Sequence, residues 1–296
     1  MNPHIISGKT QIVGLIGYPV THSISPPMHG AAFAKLGLDW SYIPLPVPTE
    51  PPGRLGEAVH GLRALGLRGC NITVPHKQAV IPFLDSVSTV VQAIGAVNTI
   101  RVEEDGTFYG DNTDAPGFIR DLSDHGTDPK GMHAVILGAG GSARAVVFGL
   151  AEAGCKSITI LNRTLSKADD LAATMQPFFQ NCTISAGDSP GDIRSSAEQA
   201  DLIVNCTSLG MTPNIDTTPW DESVSFRPDQ VAYDLVYNPR QTRFLRMAKE
   251  AGAKAINGLG MLVWQGAISF EIWTGKEAPI EVMFEAVEKA MAEKNK

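Results

Sequence analysis

Short apolar runs bounded by Gly, Pro, Asn and Asp recur along the chain, and from about residue 131 they alternate with stretches of helical period. HAVIL (133–137) predicts a buried strand, and GAGGSARAVVFGLAEAG predicts a Gly-rich turn entering an amphipathic helix that ends at Gly154. SITIL (157–161) is the next strand, and a helix follows over about 166–175. DLIVN (201–205) and VAYDLVY (231–237) read as further buried strands, and the helical RFLRMAKEAG (243–252) precedes the strand AKAIN (253–257). Continuous apolar strands separated by helices predict parallel pairing and a doubly wound sheet.

The first 113 residues alternate too, with different punctuation. QIVGLIG (11–17) predicts a strand, PPMHGAAFAKLG a helix, DWSYIPLPV a strand and GCNITVP (69–75) another. NTIRV-EEDG-TFYG (98–110) predicts a hairpin, because Asp105-Gly106 suits the positive φ angles of a tight turn. The last forty residues have apolar positions near helical spacing, and periodicity leaves open which half they pack on. The fold class is therefore α/β, with an N-terminal α/β domain and a doubly wound domain.

Length agrees with that division, since 296 residues make two domains the prior. A net charge of −7 argues against a basic nucleic-acid face, while 43% apolar and 19% charged residues suit a packed core rather than disorder. No apolar stretch reaches the ~18 residues of a membrane span. Cys70, Cys155, Cys182 and Cys206 form no C-x-x-C pair, so they read as free thiols. The opening MNPHIISGKTQ lacks a basic segment followed by a long apolar run, so a cytoplasmic address without a secretory signal is expected. The Met start and closing helix lead to the expectation of a free-standing chain rather than one module of a larger protein.

The strongest local signal is Gly138-x-Gly140-x-x-Ala143, which follows a strand and opens a helix. In such a turn Gly138 permits the sharp bend, Gly140 lets a pyrophosphate approach the backbone, and Ala143 allows close helix–strand packing. The helix N-terminus offers free N–H groups to phosphate. The bland alternative is a Gly-rich βα turn with no ligand. Twenty residues after Ala143, the second strand ends in Asn162-Arg163-Thr164. A carboxylate there suits the ribose 2′-hydroxyl of NAD, whereas a guanidinium suits a 2′-phosphate. Arg163, with Thr164 and Lys167, therefore predicts NADP; otherwise Arg163 is a solvated charge at a strand end.

The N-terminal half is dense in polar residues at predicted turns. His22-Ser23-Ile24-Ser25-Pro26 sets two hydroxyls two apart before a helix, and Asn71-Ile72-Thr73-Val74-Pro75-His76-Lys77 sets Asn71, Thr73 and Lys77 near a strand end. GAVNT (95–99) and GDNTD (110–114) add amides and carboxylates. Each alone reads equally as a cap or turn residue. Together they match a small polyhydroxylated acid. His22, His29 and His76 lack metal-ligand spacing.

These segments carry a family resemblance. GYPVTHSISPPMH (17–29), NITVPHK (71–77), GAVNT, GDNTD, GAGGSAR (138–144), NRT (162–164), NCTSLGM (205–211) and GLGMLVWQ (258–265) occur in this order, and the chain resembles the shikimate 5-dehydrogenase family over almost its whole length. The resemblance implies a substrate domain of residues 1–113 plus 258–296 and an NADP-binding Rossmann domain of 114–257. It implies reversible, NADPH-dependent reduction of 3-dehydroshikimate to shikimate in the chorismate route to aromatic amino acids.

By the same resemblance, Ser23, Ser25, Thr73, Lys77, Asn98, Asp114, Tyr237 and Gln265 hold the substrate, with Lys77 the acid/base and Asp114 its catalytic partner. Gly138, Ala139, Gly140, Gly141, Ser142, Ala143, Asn162, Arg163, Thr164, Lys167, Thr207, Leu235, Gly258 and Met261 hold NADP(H). Two departures stand out: Gly30 replaces an Asn after Met-His, and Asn257 stands where Asp commonly precedes Gly-Leu-Gly. The implied partner is a small molecule, with no nucleic acid, membrane or metal, in a monomer or homodimer. Lys77, expected at the end of a buried strand, can donate a proton to a developing alkoxide, and an adjacent Asp114 favours its charged form; the alternative is a surface lysine starting the next helix. Two other readings stay open. A dual quinate/shikimate enzyme is disfavoured by Arg163, and a noncatalytic nucleotide-binding relative by the presence of both Lys77 and Asp114.

Overall fold

The computed structural model describes residues 6–189 and 191–294; part of the opening segment weighed above as a leader lies outside them. The chain divides into two compact units, Met1–Thr113 with Val263–Lys296, and Asp114–Leu262. None of the described helices is long and apolar enough to cross a membrane.

The first unit holds β1 (Gln11–Gly17), α1 (Ser25–Lys35), β2 (Trp40–Pro46), α2 (Arg54–Ala64), β3 (Gly69–Ile72), β4 (Ser86–Val87), α3 (Thr89–Ile94), β5 (Thr99–Val102) and β6 (Phe108–Asp111). Its sheet has the order β2-β1-β3-β5-β6-β4. β1 pairs in parallel with β2 and β3, whereas β5 runs antiparallel to both β3 and β6. The β5–β6 hairpin is there, but its turn is longer than expected. Only Gly106 has a positive φ (83°), Gly106 N–H bonds to Glu103 O, and Asp105 anchors the turn by accepting from Thr107. Ile16, Val59, Leu62, Cys70, Ile72, Val91, Ile100 and Phe108 fill the space between sheet and helices.

The second unit begins with α4 (Asp114–Asp124), then β7 (His133–Leu137), α5 (Gly141–Glu152), β8 (Ser157–Asn162), α6 (Leu165–Met175), β9 (Thr183–Asp188), α7 (Ile193–Gln199), β10 (Leu202–Asn205), β11 (Val231–Asp234), α8 (Arg243–Glu250) and β12 (Lys254–Asn257). Its six strands take the order β12-β11-β10-β7-β8-β9, and every pairing is parallel. Apolar on both faces, β10 and β11 are buried throughout, as a sheet covered by helices on two sides requires. The helix after β7 stops where the sequence says. Gly154 takes φ 87°, its N–H bonds to Ala151 O, and Cys155 N–H bonds to Leu150 O, a paired closure that satisfies the last carbonyls.

The chain closes with α9 (Leu259–Thr274) and α10 (Ile280–Lys294), two helices broken around Gly275, and α10 packs on α1. The division between these compact units falls inside α9, between Leu262 and Val263. The first turn of α9 belongs to the second unit because it has no room to leave it. A Cβ on Gly258 would lie 2.3 Å from Leu235 O, and one on Gly260 1.7 Å from Asp121 Oδ1. The Asp121 carboxyl accepts the Tyr233 hydroxyl and the Met261 N–H, and burial raises its pKa above the ordinary carboxylate range.

Candidate active site

In the first unit Ser25, Asn71, Asn98, Thr99 and Thr113, polar residues singled out by sequence, belong to one hydrogen-bond network. The Tyr42 hydroxyl donates to Asn71 Oδ1 (2.8 Å) and also touches Ser25. Asn71 Nδ2 reaches Asn98 O, Thr99 Oγ1 and Ser269 Oγ at 3.0–3.1 Å. Asn98 accepts the Thr113 N–H (2.8 Å) and donates to Thr113 Oγ1 (2.9 Å), and that hydroxyl in turn bonds Gln265 O (2.9 Å). Asn71, Asn98, Thr99, Thr113 and Ser269 are all buried, so their partners offset a desolvation cost that unpaired groups would carry. Ser25, Asn98 and Gln265 are thereby brought together. Tyr42 and Ser269 were not read as functional, and nothing but their place between apolar positions marks them in the sequence.

Ser23 and Ser25 are half-buried at the start of α1, and Ser23 Oγ accepts the Ser25 N–H (3.2 Å). Neither caps the helix, whose N-cap is Ile24 without a side-chain bond. Thr73 lies against Gly17, where a Cβ would come within 2.3 Å of its Cγ2. β3 stops at Ile72, short of the expected Pro75, because the chain turns at Thr73–His76, with His76 N–H bonded to Thr73 O and a cis Val74–Pro75 bond. Lys77 consequently sits neither at a strand end nor at a helix start. It occupies the following turn, half-buried, its carbonyl accepting the Val97 N–H at 2.8 Å. Asp114 is buried at the first position of α4, where a carboxylate complements the helix dipole.

The three histidines have separate surroundings. His22 is exposed, and His76 bonds the Val47 carbonyl. His29 is buried and stacks on Tyr42 with ring centroids 4.4 Å apart; burial lowers its pKa to about 3, so the ring is neutral. Gly30 is exposed on α1 with open space where a side chain would be. Asn257 does the work of an acidic cap, its Oδ1 accepting the Leu259 N–H at the start of α9 (3.0 Å).

The second unit presents a cleft of about 760 Å³ lined by Leu137, Gly138, Leu161, Asn162, Arg163, Thr207, Leu209 and Trp220, among others. Leu137, Asn162 and Asn205 end three parallel strands, and β7 and β10 are the neighbours at which strand order reverses. Ligands of doubly wound sheets bind at that reversal. Gly138 has φ 107°, and a Cβ on it would meet Thr207 Cγ2 at 3.0 Å. Gly140 is the N-cap of α5 without a side-chain bond, and a Cβ on Gly140 or Gly141 would meet nothing within 4 Å. Open space above this backbone, with the orphan N–H groups of a helix start beneath it, fits a pyrophosphate.

Ala139 is half-buried, Ser142 exposed and Ala143 buried against the sheet. Arg163, Thr164 and Lys167 are exposed, and Asn162 Nδ2 donates to Thr164 O (2.8 Å), fixing the turn that presents them. Thr207 donates both its N–H and its hydroxyl to Asn205 Oδ1 at 2.9 and 2.7 Å. Leu235 and Tyr237 follow β11, Tyr237 half-buried with its pKa raised by desolvation, while Gly258 and Met261 lie buried where α9 begins.

Three family models match the chain: a shikimate dehydrogenase substrate binding domain over residues 15–100, a shikimate/quinate 5-dehydrogenase domain over 122–243, and a shikimate 5'-dehydrogenase C-terminal domain over 258–288. A protein from Moorella thermoacetica named shikimate dehydrogenase (NADP(+)) is 49% identical over 286 residues, covering 97% of this chain and 95% of its own. The shikimate 5-dehydrogenase of Listeria monocytogenes, solved in complex with shikimate and NAD, superposes with a TM-score of 0.89 at 37% identity, covering 95% of this chain and 97% of its own. That of Thermus thermophilus, solved with NADP(H) and shikimate, gives a TM-score of 0.84 at 40% identity over 95% of this chain and all of its own. With most of its length matched by those models and nearly all of it by these relatives, the chain belongs to the shikimate dehydrogenase family.

Proposed function

We propose that this protein is an NADP-dependent shikimate dehydrogenase, an oxidoreductase acting on a CH–OH group, which interconverts shikimate and 3-dehydroshikimate on the route to chorismate. The observation that carries the reading is the coexistence in one chain of a hydroxyl-matching network around Asn71 and Asn98 and a phosphate-matching turn with Arg163 beside it.

NADP(H) supplies the hydride donor or acceptor. Gly138 to Ala143 hold its pyrophosphate against the α5 N-terminus, while Arg163, Thr164 and Lys167 hold the 2′-phosphate. Thr207, Leu235, Gly258 and Met261 complete the cofactor set, with Asn162 shaping its turn. Ser23, Ser25, Thr73, Asn98, Tyr237 and Gln265 bind the substrate's hydroxyl and carboxylate groups. The side-chain ammonium of Lys77 gives its proton to the substrate oxygen as the carbonyl is reduced, and neutral Lys77 takes that proton back in the oxidation. Asp114, a buried carboxylate at the start of α4, is the catalytic partner of Lys77 in this reading. Residues 1–113 with the closing helices act as the substrate domain, and the protein works in the cytoplasm as a monomer or homodimer.

The test is absorbance at the nicotinamide band with shikimate or quinate, each with NADP+ or NAD+. Oxidation of shikimate with NADP+ in clear preference to NAD+ is expected. Comparable oxidation of quinate would place the chain with the dual enzymes, and nucleotide binding without turnover would make it a noncatalytic relative.

A further inference from the structure

Asp234 has no part in the chemistry above. It ends β11, its side chain fully buried in a strand otherwise apolar on both faces, and its carboxylate accepts hydrogen bonds from three segments. Oδ1 takes Asn205 Nδ2 at 2.9 Å and the Val236 N–H at 3.0 Å, and Oδ2 takes the Thr242 hydroxyl at 2.5 Å. Each partner is itself committed. Asn205 uses its other amide atom to hold the Thr207 N–H and hydroxyl, and its Nδ2 also reaches Leu209 O. Val236 lies between Leu235 and Tyr237, and Thr242 is the N-cap of α8, accepting the Leu245 N–H.

A continuous chain of contacts results. It runs from Thr207, whose Cγ2 stands 3.0 Å from where a Cβ on Gly138 would lie, through Asn205 to the Asp234 carboxylate, and on to the turn after β11 and the start of α8. An apolar residue would cap a parallel strand without the desolvation cost of a buried carboxylate. A single acceptor that ties together the loops following β10 and β11 is what such a carboxylate adds.

We propose that Asp234 is a positioning residue for the cofactor. Through Asn205 it fixes Thr207 against the Gly138 turn, and through Val236 it fixes the 235–237 turn, so that both loops stand ready before NADP(H) arrives. The proposal rests on the cofactor reading above and goes beyond it, because Asp234 is fully buried and acts only through its hydrogen-bond partners.

The experiment compares the unsubstituted chain with Asp234→Ala, Asp234→Asn and Thr242→Val. The readouts are the Kd of NADP+ by calorimetry, the KM of each substrate, and the melting temperature. Asp234→Ala should weaken NADP+ on the order of 10- to 100-fold, the factor set by loss of hydrogen bonds to a charged acceptor. The KM for shikimate should rise far less than the Kd of NADP+, since Tyr237 alone of the substrate set lies on the 235–237 turn, a split that general damage would not produce. Asp234→Asn keeps an oxygen for Asn205 and Val236 and should recover most of the affinity.

If Asp234→Ala does not fold, Thr242→Val decides. Removing the bond to Oδ2, together with the cap to the Leu245 N–H, should weaken NADP+ selectively by roughly three- to ten-fold, whereas unchanged affinity overturns the proposal. It is equally overturned by a folded Asp234→Ala with normal NADP+ affinity, or with both KM values raised alike. Failure of the unsubstituted chain to bind NADP+ would instead refute the cofactor reading, and this inference with it.

Discussion

Arg163 offers a clean perturbation, because it lines the cleft, is exposed, and has no hydrogen bond or ion pair to another side chain among the described residues. Arg163→Ala therefore removes no internal hydrogen bond or ion pair, and the fold should be as stable as before, within the ~0.5 kcal/mol typical of surface positions. What remains is the effect on the ligand. Hydrogen bonds between charged groups are worth about 1.5–3 kcal/mol, so the Kd of NADPH should rise roughly 10- to 150-fold.

NADH carries a hydroxyl in place of the 2′-phosphate, and its Kd should move by less than about two-fold, since no charged partner is lost. The exposed pair should also be screened. Raising ionic strength from about 0.01 to 0.15 M cuts the Debye length from roughly 30 to 8 Å, so the preference for NADPH should shrink with salt in the unsubstituted chain and be nearly flat in the variant. Fluorescence titration of both cofactors at two salt concentrations, beside a thermal melt, measures all of this. Equal losses for NADPH and NADH, or no loss for either, would refute the assignment of Arg163 to the 2′-phosphate.

Other outcomes are equally specific. Lys77→Met should lower kcat by ~10²–10⁴-fold while leaving NADPH affinity intact, and a folded variant with near-normal turnover would pass the catalytic role to Asp114. Ser25→Ala and Thr73→Val should each raise the KM for shikimate without unfolding the protein, and normal shikimate kinetics in both would remove them from the site. Gly260→Ala places a methyl 1.7 Å from Asp121 Oδ1, so the carboxyl must leave Tyr233 and Met261, at a cost of about 3–5 kcal/mol in denaturant unfolding. Burial raises the Asp234 pKa to about 6, so the folded state holds its proton more tightly than the unfolded one. Stability should accordingly fall as pH rises from about 4 to 6, by on the order of 3 kcal/mol, then level off, and Asp234→Asn should flatten that slope.

Where one physical signal dominated, the sequence was readable. The doubly wound unit followed from strands apolar on both faces, and Gly154 marked the end of α5 because a left-handed closing residue favours glycine. α4 was not seen: its apolar face is carried by Ala115, Phe118 and Leu122, interspersed with Asp121 and preceded by the polar GDNTD segment. β9 was hidden for another reason, since it is an edge strand with exposed Thr183, Ser185 and Asp188 and only Ile184 and Gly187 buried. β3 and β11 were read three residues too long because apolar pattern does not register a turn held by hydrogen bonds, those of Thr73–His76 in one case and of Asp234 in the other. Asp234 itself was legible in principle, as a lone carboxylate in an apolar strand, but its partners Asn205 and Thr242 are distant in sequence.

The same contrast explains why the buried hydrogen-bond network around Asn71 and Asn98 required the fold. Thr99, Thr113 and Ser269 are small hydroxyl residues that in isolation suggest turns or solvent-facing positions. Burial changes their meaning, because each then needs partners, and Asn71 and Asn98 supply them from opposite sides: Asn71 spans β3, β5 and α9, and Asn98 holds the segment that leads into Asp114. A network with that many mutual bonds has few alternative arrangements, since swapping any one donor orphans another group at a cost of about 1–3 kcal/mol. On the proposed reading, this rigidity holds Ser25, Asn98 and Gln265 in fixed positions, so a substrate lacking a hydroxyl would leave one of them unmatched. His29 marks the boundary of the arrangement. Neither of its ring nitrogens has a hydrogen-bond partner among the described residues, and it contributes by stacking on Tyr42, fixing the ring whose hydroxyl joins Ser25 to Asn71.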